Sequence, residues 1–229
     1  MNHRNSKERF VLIGGMPRSG TTLVETVIGS HSRIAMPPGD FPFAAQANAG
    51  WSVKRILSVL SEKPTWEHWK VRDFSTVFDF DYGAAFRQAL LLYAQGVGKE
   101  LPGAKAPYSE FYLDLYEEWL TDHELRFITV IRNPIDVIAS LKHSQIHSHL
   151  HGFRNLVEVQ SRNWVRSVSL VLGKEHDKRT QFCAVRYEDF VSEIERISQQ
   201  HGAEPVWFFS GYDCDSLAYE PVTHFIDYH

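Results

Sequence analysis

The residues best suited to chemistry in this chain lie close to its start. Residues 14–23 read Gly-Gly-Met-Pro-Arg-Ser-Gly-Thr-Thr-Leu. Four residues separate Gly15 from Gly20, the spacing of a loop that wraps a phosphate. In such loops a lysine and then a Ser/Thr follow the second glycine. Here those places hold Thr21 and Thr22, so the hydroxyl is kept and the lysine is not. The backbone N–H groups of residues 18–22 would converge at the positive end of a helix dipole. Arg18 adds a forked cation from within the loop. A plain glycine-rich turn with a surface arginine is the simpler alternative. The run Arg18, Ser19, Gly20, Thr21, Thr22 in this context favours an anion site for phosphate or sulfate. Without the lysine, a magnesium–ATP machine fits less well.

The elements around this loop give it that context. The apolar run 10–14 reads as a buried parallel strand, and 21–30 as a helix with Leu23, Val27 and Ile28 on one face. A second strand at 127–131 ends at Arg132. Asn133 and Pro134 then form an N-cap and first helical turn. A third strand at 181–185 leads into Tyr187 and an amphipathic helix to about residue 200. Helices are expected over 53–60, 84–95, 110–120 and 156–172, a short strand near 104–106, and a proline-rich loop over 36–43. Strands alternating with helices predict an α/β protein with a mostly parallel sheet. No repeat or linker divides the chain, so 1–229 is read as one domain.

Pro17 to Thr22 resembles, residue by residue, the 5′-phosphosulfate loop of sulfotransferases that use 3′-phosphoadenosine 5′-phosphosulfate (PAPS). Arg at position 18 is similar to the tyrosylprotein and carbohydrate-type branches. In that family an arginine at a strand end and a serine eight residues later bind the 3′-phosphate, and Arg132 and Ser140 have this spacing. Residues 185–190, Val-Arg-Tyr-Glu-Asp-Phe, resemble a third family segment that would bring Tyr187 near the nucleotide, with Glu188 and Asp189 capping the next helix. The resemblance covers roughly residues 10–200. It implies a P-loop NTPase-like three-layer α/β/α fold.

The resemblance also implies roles. Arg18 and Lys105, the latter in Ala-Lys-Ala-Pro at 104–107, would stabilise the leaving phosphate. Asp40, which stands 22 residues after Arg18 where the tyrosylprotein branch has a glutamate, would take the acceptor's proton. Glu25 is read as a solvated helix carboxylate, His31 as structural, and Trp164 as core. The donor would be PAPS and the product 3′,5′-ADP (PAP), with no metal. The acceptor would be a small molecule, carbohydrate or peptide. Phe41, Phe43 and Trp51 would suit an apolar or sugar acceptor, and His147, His149 and His151 an anionic one. Residues 203–229 depart from the family pattern because they contain no Lys or Arg. Arg126, Arg154, Arg162 and Arg166 are then possible substitute cations.

Composition narrows the field further. Of 229 residues, 43% are hydrophobic and 23% charged, which excludes a disordered or coiled-coil chain. A net charge of −4 gives no global attraction to nucleic acid. Two cysteines cannot form a disulfide framework. No apolar run approaches the roughly 20 residues of a membrane span, and the expected location is cytoplasmic. Two other functions compete: a variant P-loop nucleotide phosphotransferase, and a nucleotide-binding module without catalysis.

Overall fold

The computed structural model describes residues 8–61, 77, 81–143, 153–174 and 180–200. The first apolar run forms β1 (Arg9–Gly15), buried from Phe10 onward, as a central strand covered on both faces must be. It is followed by α1 (Thr21–Ser30), β2 (Ile34–Ala35), α2 (Phe43–Asn48), α3 (Val53–Ser61) and α4 (Tyr82–Val97). Asp81 caps α4 by accepting from the Ala84 N–H at 3.1 Å. Next come β3 (Leu101–Lys105), a 3-10 turn (Ser109–Tyr112), α5 (Leu113–Trp119) and β4 (Glu124–Ile131). The order ends with α6 (Pro134–His143), α7 (Phe153–Lys174), β5 (Thr180–Arg186) and α8 (Tyr187–Gln200). Asn133 caps α6 as expected, its Oδ1 accepting from the Ile135 N–H at 2.9 Å.

The sheet order is β2-β3-β1-β4-β5, and every pairing is parallel. Register sets Ile13 beside Lys105 and Gly15 beside Val130. Successive residues of β1 point to opposite faces, and the core divides accordingly. Phe10 and Leu12 join Phe43, Phe86 and Tyr116 from α2, α4 and α5. Val11 and Ile13 join Val24 and Ile28 from α1 and Phe190 from α8. The result is the expected α/β/α layering.

Two local expectations need correction, and one strand was not expected. The loop at 36–43 gives way to α2 at Phe43, and Phe41 and Phe43 are core residues, so neither can face an acceptor. Their rings pack on each other and on Phe86 at centroid distances of 5.5–5.8 Å. The helix expected over 110–120 is split: the chain enters through a 3-10 turn after Tyr108, and Tyr112, at φ −118° and ψ 19°, separates that turn from α5. The two-residue β2 is too short to leave a periodic signal.

This topology decides where a ligand can sit. The helices that follow the neighbouring strands β1 and β3 lie on opposite faces of the sheet: α1 on one, α5 on the other. A crevice opens at the carboxyl ends of such strands, which is where open α/β sheets bind ligands.

Candidate active site

The loop from Gly15 to Gly20 turns at the end of β1, and two glycines make the turn possible. Gly15 has a φ of 130°, and a Cβ there would lie 2.5 Å from the Val130 carbonyl oxygen. Its N–H donates to Glu110 Oε2 at 2.8 Å. Gly20, with a φ of 99°, opens α1, and a Cβ there would fall onto the Tyr187 ring. Gly20→Ala is therefore expected to destabilise the fold by about 2–3 kcal/mol, through left-handed strain and displacement of Tyr187. Thermal unfolding of the variant measures it. Arg18 itself adopts a φ of 69°, a conformation that costs a non-glycine residue about 1–2 kcal/mol.

That strained backbone is held from the neighbouring strand. Arg132, just beyond β4, donates from Nη1 to the Arg18 carbonyl at 3.1 Å. Its guanidinium lies 4.4 Å from the centre of the Tyr187 ring, a cation–π contact. Its own carbonyl accepts from Trp164 Nε1 at 3.0 Å, so Trp164 orients Arg132 as well as packing. Arg18 Nε donates to Ser140 Oγ at 2.9 Å. Arg18, Gly20, Thr21, Thr22, Arg132 and Ser140 together line a cleft of about 190 Å³. The first-turn amides of α1 have no intrahelical acceptors. Ser19 does not line the cleft: it is buried, and its Oγ donates to the Met16 carbonyl at 2.5 Å.

A second cluster adjoins the first through Thr22. Lys105, at the end of β3, is buried, and its Nζ lies 3.3 Å from Thr22 Oγ1. The same ammonium lies 2.5 Å from Asp40 Oδ1 and 3.1 Å from Glu25 Oε2. The Asp40 side chain is 49% exposed, and the Glu25 side chain only 7%. The Lys105 carbonyl accepts from the Phe41 N–H at 2.8 Å, which fixes the Asp40 loop against β3. Glu25 Oε1 accepts from the Gly39 N–H at 3.1 Å. Burial pushes the Glu25 carboxyl up to about 7, and the adjacent Lys105 charge opposes that rise. Glu25 is thus no solvated carboxylate: the loop bearing Gly39 and Asp40 folds over it, which helix periodicity does not reveal.

Beneath the loop, Glu110 is buried and accepts from Ser167 Oγ at 2.5 Å as well as from the Gly15 N–H. Burial raises its pKa. Arg126 is not a substitute cation for the cleft: it is fully buried within β4 and bonded to Glu124 at 2.8–2.9 Å. Arg162 pairs with Glu158 along α7, and Arg166 lies over the Phe111 ring at 4.4 Å. Glu188 accepts from the Asn133 N–H at 2.8 Å, which ties the start of α8 to the start of α6. His31 is buried and its Nδ1 accepts from the Arg33 N–H, a structural role. His147, His149, His151 and residues 203–229 lie outside the described residues. Among the described residues no cluster of His, Cys, Asp and Glu suits a metal ion, and no helix is long and apolar enough to cross a membrane.

The loop, the strand-end arginine with its serine, Tyr187, Lys105 and Asp40 are all brought to one edge of the sheet. Glu25, Glu110 and the orienting bond from Trp164 were not foreseen. A family model described as "Sulfotransferase family" matches residues 11–200. The chain is 31% identical over 156 residues to an uncharacterized protein of Aquifex aeolicus (strain VF5); the match covers 66% of this chain but 18% of that protein. The fold resembles the sulfotransferase domain of the Synechococcus PCC 7002 olefin synthase, at TM-score 0.57 and 18% identity, covering 93% of this chain and 81% of that one. It also resembles the sulfotransferase domain from the curacin biosynthetic pathway, at TM-score 0.55 and 16% identity, covering 91% and 80%.

Proposed function

This chain belongs to the sulfotransferase family, and from that premise we propose that it transfers a sulfuryl group from PAPS to a hydroxyl or amine acceptor. The observation that carries this reading is the convergence of Arg18, Arg132 and Ser140 on one cleft, joined through Thr22 to the Lys105–Asp40 pair. The donor is anionic at both its 3′ and 5′ ends, so it needs cations on two sides of one cleft. The residues present fit it. Arg132 Nε is buried without a hydrogen-bond partner, a donor left over for an anion. The free first-turn amides of α1 face the same anion.

The roles follow from position. Arg132 and Ser140 hold the 3′-phosphate, with Tyr187 supporting Arg132 from below. Ser19 shapes the loop, while Gly20, Thr21, Thr22 and Arg18 bind the 5′ end. When bound, the donor supplies the sulfuryl group that passes to the acceptor. Asp40 is half-exposed, so it can meet an acceptor and take its proton. Lys105 and Arg18 present positive charge to the oxygen that keeps the electron pair. Catalysis is then mostly positioning and charge stabilisation, as in phosphoryl transfer.

Binding of 3′,5′-ADP compared with magnesium–ATP by calorimetry tests the donor. A preference for 3′,5′-ADP is expected, and a preference for ATP would overturn the reading in favour of a phosphotransferase. Transfer of labelled sulfate from PAPS across a panel of phenol, sugar, amine and peptide acceptors then identifies the acceptor class. Asp40→Asn is expected to lower kcat by about 10²–10⁴ while leaving 3′,5′-ADP affinity near wild type. Full activity in this variant would exclude Asp40 as the base.

A further inference from the structure

One buried carboxylate of the site has no part in the scheme above. Glu25, on α1, has one oxygen on Lys105 Nζ and the other on the Gly39 N–H, both at 3.1 Å. It therefore touches two separate pieces of machinery: the cation at the end of β3 and the loop residue next to Asp40. We infer that Glu25 is a positioning residue, a fixed anion that ties Lys105 to the Asp40 loop and holds both while Asp40 changes charge. The inference rests on the sulfuryl-transfer reading.

The argument is electrostatic. Lys105 is buried, and a buried ammonium without a counter-ion tends to lose its proton. In the resting arrangement two carboxylates share it. When Asp40 takes the acceptor's proton it becomes neutral, and its attraction for Lys105 falls just when that cation is needed at the leaving oxygen. Glu25 is too enclosed to meet an acceptor, so once ionised, above about pH 7, it keeps its charge in the same step. The lysine stays charged, its hydrogen bond to Asp40 is released for the leaving group, and the Gly39 contact keeps the loop from drifting. Two further side chains share this field with Glu25: Asp40 from the loop and Tyr93 from α4, whose hydroxyl feels the Glu25 charge.

Glu25→Gln keeps the shape and an acceptor for the Gly39 N–H but removes the charge. It is expected to lower kcat at least about ten-fold while 3′,5′-ADP affinity stays within about two-fold. The wild-type kcat–pH profile should carry a limb near pH 7, where Glu25 ionises and activity rises; E25Q should lack it and remain at the low-pH level. Wild-type kcat and profile in E25Q, or a loss confined to KM, would overturn the inference. If E25Q does not fold, Glu25→Asp decides. It keeps the charge but shortens the reach, so kcat lowered about three-fold or more supports the role and an unchanged kcat opposes it. A titration of the Lys105 side chain by NMR is independent of turnover. A lower Lys105 pKa in E25Q supports the counter-ion role, and an unchanged one refutes it. Absence of sulfuryl transfer by the wild type would instead defeat the functional reading and leave the NMR comparison to decide.

Discussion

Lys105→Met is expected to lower kcat by about 10²–10³, the effect of removing one fixed donor from a developing anion. The side chain is nearly isosteric, so the cavity stays filled and the change is one of charge. Methionine leaves Asp40 and Glu25 facing each other without their shared cation. Glu25, already near 7 with the lysine present, moves further up and becomes protonated at neutral pH. The buried charge is thereby removed rather than left unpaired, which limits the loss of stability. Lys105 does not line the arginine cleft, so 3′,5′-ADP binding should change by no more than a few-fold. Single-turnover transfer of labelled sulfate, set beside calorimetric 3′,5′-ADP binding, measures both. A fall in affinity equal to the fall in kcat would assign Lys105 to ground-state binding instead.

Arg132→Ala should weaken 3′,5′-ADP binding about 100-fold. A hydrogen bond to a charged group contributes about 1.5–3 kcal/mol, and a guanidinium offers two in parallel to a phosphate. The substitution also removes the Nη1 contact that holds the Arg18 carbonyl, so the phosphate loop loses support along with the ligand. Arg132→Lys should restore little. An ammonium has neither the planar fork nor the flat face that lies over Tyr187. Calorimetric titration with 3′,5′-ADP distinguishes the outcomes, and an affinity within three-fold of wild type in the alanine variant would remove Arg132 from the donor site.

What could be read in advance divides by the range of the interaction. The phosphate loop is legible because strand, turn and helix are contiguous, and the positive φ of Gly15 and Gly20 is a local demand, although Val130 and Tyr187 add distant ones. Arg132 and Ser140 were legible because one helix fixes their spacing. The loop over 36–43 was read only in part: its prolines interrupt any periodic signal, and the six-residue α2 is too short to supply one. Glu25 hides its role in the sequence for a different reason. Its position on α1 says nothing of the loop that returns over it, and that loop is held by Phe41 on Lys105, far along the chain. Glu110 likewise supports the phosphate loop through the Gly15 N–H, 95 residues away, while α7 brings Ser167 to its other oxygen. Charged residues near a site take their meaning from what covers them, and cover is a tertiary property.

The meeting of Gly20 and Tyr187 has a consequence for how such a chain can diverge. The two residues belong to opposite ends of the fold's sequence, yet the ring occupies the space a Cβ would need. Drift at either position is therefore not independent. A side chain can enter at 20 only in a lineage that has first reduced 187, and reducing 187 takes away the surface on which Arg132 rests. Substitution would have to proceed through an intermediate with a loosened anion cleft, so the pair is expected to covary or to stay unchanged together.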